Sequence, residues 1–259
     1  MTSSDGGLSL PGEGVPHPRN NGAFARKLAR YVRDERVVSL DAALHANHVP
    51  RSVVDNLVAA TRAGVAPLRR YHQLRRRALG LTRYCPYDFS IPLVEWHRRY
   101  AYNEVLDAIV DSVAPLGDEY QARMRRGFRE RWIDVHESDG KRSGAYSAPI
   151  YGVHPYMLLN WTDTLDDVFT LAHEMGHSMH TMLSHERQPF VYSDYTIFVA
   201  EVASTFNEQL LSKHLMAQAK DKKQRAYLIN REIDAIRGTI IRQTMFAEFE
   251  KQTHALVEA

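Results

Sequence analysis

The sequence predicts a mainly α-helical fold with one small β-sheet placed just before its most distinctive helix. Three observations carry this reading. Apolar residues recur at three- and four-residue spacing over most of the 259 residues. The texture changes to short strand and turn chemistry between Trp132 and Trp161. Directly afterwards Thr164 and Asp167 stand at capping-box spacing, with Asp in place of the usual Glu or Gln, ahead of a long periodic run. With 44% apolar and 25% charged residues the composition is that of an ordinary globular protein.

Residues 1–20, carrying Gly6, Gly7, Pro11, Gly12, Gly14, Pro16 and Pro18, have no periodic apolar pattern and read as a mobile lead-in. A helical region over 21–130 follows. Phe24, Leu28 and Tyr31 mark one segment, Val53, Leu57 and Val58 a second after Pro50-Arg51-Ser52, and Leu68, Tyr71, Leu74 and Leu79 a third that Gly80 ends. Pro86, Pro92 and the aromatics Tyr84, Tyr87 and Phe89 indicate a looped connection, and Trp96–Ala114 and Asp118–Trp132 read as two further helices. Trp132-Ile133-Asp134-Val135 is strand-like, Glu137–Gly140 is turn chemistry, and Ala145–Leu159 offers two more strands divided by Gly152 and Pro155. Helix resumes at about Thr196–His214 and again from Asp221 to the end, where no C-cap closes it.

Net charge is only +2, and Arg69, Arg70, Arg75, Arg76, Arg77, Arg123, Arg125 and Arg126 are interleaved with apolar residues, so they read as solvated helix faces and not as a nucleic-acid site. Cys85 is the single cysteine, expected to be small and buried; with no basic, apolar leader it suggests a cytoplasmic protein. No stretch approaches 18 consecutive apolar residues, which argues against a membrane helix.

The chemistry concentrates in His173-Glu174-Met175-Gly176-His177, an H-E-x-x-H pattern. Four helical residues advance by about 400°, so both histidines leave one face a turn apart, spaced to share a tetrahedral zinc ion. Glu174, beside them, can take a proton from an attacking water. Val168, Phe169, Ala172, Met175, Met179 and Met182 form a buried apolar stripe next to that face.

A catalytic zinc usually takes three protein ligands. His180 lies a full turn beyond His177 and is better placed to support a ligand or to face substrate. Glu186 and Asp194 fall in a polar, Pro189-containing connection, and Leu183 occupies the position where another zinc-protease pattern needs histidine. Glu201 is the best choice, because Ile197–Ser204 is an apolar helix in which an unpaired carboxylate would be costly. Glu208, two turns on, has two readings: a hydrogen bond from a ligand histidine, or a salt bridge to a neighbouring helix.

Gly140–Ser147, Leu165–Glu174, Gly176–His180 and Tyr192–Ser204 together resemble the oligopeptidase F and thimet oligopeptidase family of zinc peptidases, most closely oligopeptidase F. Fainter similarity runs through Tyr120–Val135 and Arg242–Val257. The resemblance implies an all-helical, two-lobed bowl around a deep channel that admits short peptides. It implies one Zn²⁺ per chain held by His173, His177 and Glu201, with Glu174 as general base. It also implies a zincin-like catalytic core over 131–259 and a substrate cleft bordered by Tyr146 and Tyr151, with His180 and Glu208 at family positions. Family members are longer, and the tyrosine- and histidine-rich loop that follows the equivalent of Val257 is absent here, as is most of the amino-terminal lobe. The expectation is a zinc-dependent endopeptidase of short peptides, with a truncated, catalytically weak or inactive zinc-binding remnant as the alternative.

Overall fold

The computed structural model describes residues 39–258. The lead-in expected over 1–20 and the helix expected around Phe24, Leu28 and Tyr31 lie outside the described residues. The chain forms two compact units, one of residues up to Val58 together with the stretch from Phe246, the other of Ala59–Met245. In the first, α1 (Ser39–His45) and the start of α2 (Arg51–Ala63) are tied to the last helical turns of the chain. Glu258 accepts from the Ser39 backbone N–H at 2.8 Å and from its hydroxyl, and Lys251 pairs with Asp55.

The larger unit holds the site. Its elements after α2 are α3 (Val65–Ala78), α4 (Tyr102–Ser112), α5 (Asp118–Arg129), β1 (Ile133–Asp134), β2 (Tyr146–Ala148), β3 (Tyr156–Leu158), α6 (Leu165–Arg187), α7 (Ile197–Gln218) and α8 (Lys222–Ile236). A π-helical stretch, Arg237–Arg242, then leads into α9 (Gln243–Glu258). Ile109, Met124, Leu171, Met175, Met179 and Leu211 have essentially no solvent contact and centre the core where α4, α5, α6 and α7 meet. None of the described helices is long and apolar enough to cross a membrane.

Three expectations need correction. The helix expected from Trp96 begins only at Tyr102. Trp96 and Tyr100 do have helical spacing, and Trp96 Nε1 donates to the Tyr100 hydroxyl (2.9 Å), but the Tyr100 N–H donates to the distant Asp163 carbonyl (2.9 Å), so a tertiary bond takes the donor a helix would use. Arg75 is 1% exposed, not on a solvated face. Its guanidinium donates to the carbonyls of Phe89 (2.9 Å) and Ile91 (2.5 Å), which compensates burial of the charge and fixes the 86–91 loop on α3. Cys85 is half-buried rather than buried and precedes a short 3₁₀ turn, Pro86–Ser90.

The three strands form a sheet in the order β1-β3-β2, with β1 parallel and β2 antiparallel to β3. β2 is therefore an edge strand, registered with Ser147 opposite Met157. It lies against α6, where the hydroxyls of Ser147 and Ser178 are 2.9 Å apart.

α6 starts where the capping box places it. Thr164 Oγ1 accepts from the Asp167 N–H (3.3 Å), and Asp167 Oδ2 accepts from the Thr164 N–H and hydroxyl (both 2.9 Å) and from the Thr162 N–H (3.0 Å). One carboxylate oxygen thus closes the whole entry to the helix. Asp167→Ala is expected to cost about 1–2 kcal/mol in a urea titration, the upper range of N-cap losses, and Thr164→Ala less. Equal, negligible losses for both would show that the box does not hold α6.

Candidate metal centre

α6 presents His173 and His177 on one face, and α7 runs alongside it bringing Glu201. The two imidazole Nε2 atoms are 3.1 Å apart with rings at 83°. Glu201 Oε2 is 3.2 Å from His173 Nε2 and 3.5 Å from His177 Nε2. Among the described residues these three form the group whose ligand atoms converge, all within 4.8 Å of one another.

The triangle fits a tetrahedral zinc. Bonds of about 2.0–2.1 Å at tetrahedral angles put ligand atoms about 3.3 Å apart, and the three separations bracket that value. The donor set, two imidazoles and a carboxylate, is a common one for catalytic zinc. The ring of His173 is oriented from behind. Its Nδ1–H donates to Glu208 Oε1 at 2.7 Å, which leaves Nε2 to face the other two groups.

Glu174 is outside this ligand group, lines the same cleft and is 6% exposed. Its Oε2 is buried with no hydrogen-bond partner, and the Ser147 backbone N–H of edge strand β2 faces the carboxylate closely enough to oppose the upward shift. A cleft of about 410 Å³ opens here, with Tyr146 and Pro149 on the strand side, Thr181 on α6 and Tyr195 and Ala200 on the α7 side. Burial pushes the Glu174 carboxyl up, and the charges of Glu201 and Glu208 add to that against the opposing effects of His173 and Ser147; the net direction is up. Burial pushes His173 down, but the Glu208 hydrogen bond and charge, with Glu174 and Glu201, outweigh it, so His173 is held above its ordinary value. Burial and the neighbouring His173 charge hold His177 below it. The two imidazoles are thus pulled apart by their surroundings.

The sequence model of peptidase family M3 matches residues 21–259. The chain belongs to peptidase family M3. An oligoendopeptidase F homologue of Lactococcus lactis subsp. lactis is 46% identical over 213 residues, covering 82% of this chain and 35% of that protein. Oligopeptidase PepF of Bacillus subtilis is 45% identical over 215 residues, covering 83% and 32%. Among solved structures, oligoendopeptidase-F from Enterococcus faecium matches with a TM-score of 0.59 at 30% identity, covering 93% of this chain and 37% of that one. A Chlamydophila abortus structure matches with a TM-score of 0.78 at 38% identity, covering 91% and 40%. The resemblance to oligopeptidase F read from the motifs therefore holds, and so does the mainly helical class with its small sheet. The chain spans about a third of the length of the curated relatives it matches.

The remaining residues singled out in this M3 chain fall into two groups. Glu208 makes both of the contacts weighed for it, with Oε1 on His173 and Oε2 facing Arg231 of α8 at 3.9 Å. Tyr146 lines the cleft. His180 lies on the far side of His177, stacked on Tyr195 with ring centroids 3.7 Å apart, and Tyr151 is turned toward Phe190, His185 and the Gln188 carbonyl. Glu186, set aside as a ligand, pairs with Arg123.

Glu201 does approach the two histidines, but the burial expected of it is not found. Its side chain is 54% exposed, and Ile197, Phe198 and Val202 around it are each more than 60% exposed. The apolar run does not bury the carboxylate. What singles Glu201 out is its approach to the two histidines. Ser147, Tyr195 and Arg231 were not singled out, since each reaches the site through tertiary contact, although Ser147 and Tyr195 lie in stretches that carry the family resemblance. Gly176 did leave one: a glycine inside a long helix costs about 1 kcal/mol and implies a close neighbour.

Proposed function

We propose that this chain carries the catalytic centre of a zinc-dependent endopeptidase that hydrolyses short peptides. The observation that carries the reading is the convergence of His173, His177 and Glu201 beside the partnerless Oε2 of buried Glu174. A zinc ion held by those three residues would supply Lewis acidity toward the scissile carbonyl. Glu174 accepts the proton of the attacking water and returns it to the leaving nitrogen, a role that a carboxylate raised by burial suits. The free edge of β2 beside that carboxylate can pair with an extended peptide backbone, which delivers the scissile bond to the cleft. A cytoplasmic location belongs to the same reading, supported by the single cysteine.

Equilibrium dialysis should find one zinc per chain. Free zinc at about 1,000 times its Kd should add about 4 kcal/mol of stability, or about 10 °C in Tm, and a quenched fluorescent peptide should be cleaved only when zinc is present. Cleavage that survives chelation would sink the reading. A second reading is a zinc-binding chain of weak or no turnover, favoured by the openness of the site, where the Glu201 side chain is 54% exposed. It gives the same zinc stoichiometry and thermal shift without cleavage.

A further inference from the structure

Glu208 uses one carboxylate oxygen to hold His173, and its other oxygen faces a residue of a third helix. Arg231, on α8, is only 17% exposed and is anchored on two sides. Its Nε donates to Asp166 Oδ1 at 3.1 Å, and its Cζ lies 3.2 Å from the centre of the Phe169 ring. Both anchors sit in the first turns of α6, the helix that carries the histidines. With the guanidinium plane fixed in this way, Nη2 faces Glu208 Oε2 at 3.9 Å, and Arg231, Glu208 and His173 line one cavity of about 450 Å³.

We propose that Arg231 is a positioning residue for the metal centre, acting on His173 through Glu208. The physical reason is rotational. A carboxylate held at one oxygen can still turn about its terminal torsion, which is broad and soft. A cation at the second oxygen selects one plane and so fixes the direction from which Glu208 accepts the His173 Nδ1–H. That direction sets the tilt of the imidazole, and a tilt displaces Nε2 at the far end of the ring. Metal–ligand distances in real sites keep within about 0.2 Å of their ordinary values, so a small rotation at Glu208 would be felt by a bound zinc. Asp166 is 79% exposed, and its pairing with Arg231 alone is of the solvent-screened kind that contributes little. The arrangement gains its effect from Glu208, which is 23% exposed.

The proposal rests on the metal-centre reading, and its test separates the two. Zinc affinity is measured on the full chain by competition with a chromophoric chelator for the parent, Arg231→Gln, Glu208→Gln and the double variant. Thermal unfolding of the zinc-free proteins is recorded alongside. Glu208→Gln should weaken zinc by about 10–100-fold and Arg231→Gln by about 10-fold, the range seen when groups behind a metal ligand are lost. The double variant should bind zinc no more weakly than Glu208→Gln alone, whatever the zinc-free unfolding midpoints are, since a role through Glu208 disappears with Glu208. If the two losses multiply, Arg231 acts on the fold and the proposal is overturned. If Arg231→Gln does not fold, Arg231→Lys replaces it: lysine can meet Asp166 or Glu208 but not both, and its smaller loss must likewise vanish in the Glu208→Gln background. A parent chain that binds no zinc overturns the metal-centre reading itself.

Discussion

Glu174→Gln is expected to lower peptide turnover by about 10²–10⁴-fold, the contribution of a positioned general base, while leaving zinc bound at one per chain. The substitution removes one property. Glutamine has nearly the shape of glutamate, so the buried side chain keeps its place beside β2. It cannot take a proton. Because Glu174 is outside the converging ligand triangle, zinc affinity and the zinc-induced thermal shift should match those of the parent. The loss should fall on kcat with KM little changed, the pattern of an interaction needed only in the transition state. Turnover within about threefold of the parent would remove Glu174 from the mechanism. Loss of zinc together with activity would instead mean that the carboxylate helps to build the ligand site.

The helices were legible wherever local chemistry and tertiary demand agree. Thr164 and Asp167 mark the start of α6 in the sequence and close it in three dimensions, and the Val168–Met179 stripe reads as buried and is buried. Asp221, expected at a helix start, caps α8 through Gln224 N–H at 2.7 Å. Legibility failed where a partner distant in sequence decides the outcome. The spacing of Trp96 and Tyr100 is the spacing of a helix, yet Asp163, more than sixty residues on, takes the Tyr100 N–H. Arg75 looks like its arginine neighbours because nothing local shows that three loop carbonyls surround it. The candidate metal centre divides along the same line. His173, Glu174 and His177 share one helix and are fixed by its period, whereas the distance from Glu201 to them depends on how closely α7 lies against α6.

That closeness is set by Gly176, and Gly176→Ala is expected to destabilise the chain by more than about 3 kcal/mol, the upper range of core overpacking, and to weaken zinc at least about 100-fold. In an isolated helix the change would help by about 1 kcal/mol, so the sign itself is diagnostic. A Cβ at position 176 would lie 2.6 Å from Ser204 Cα, 2.8 Å from the Ala203 carbonyl oxygen and 2.9 Å from Ser204 N. All three are backbone atoms of α7, so no side chain can rotate out of the way. Relief to an ordinary carbon–carbon separation of about 3.5–4.0 Å requires the two helices to part by about 1 Å. Glu201 sits one turn before Ser204, and Ser204 Oγ donates to Glu201 Oε2 at 2.9 Å, so the carboxylate moves with the displaced backbone. A shift of that size exceeds the tolerance of a zinc ligand by about fivefold. Urea titration of the zinc-free chain and chelator competition measure the two consequences separately. A Gly176→Ala chain with parental midpoint and zinc affinity would show that α6 and α7 are not in this contact, and the ligand triangle built on it would fall as well.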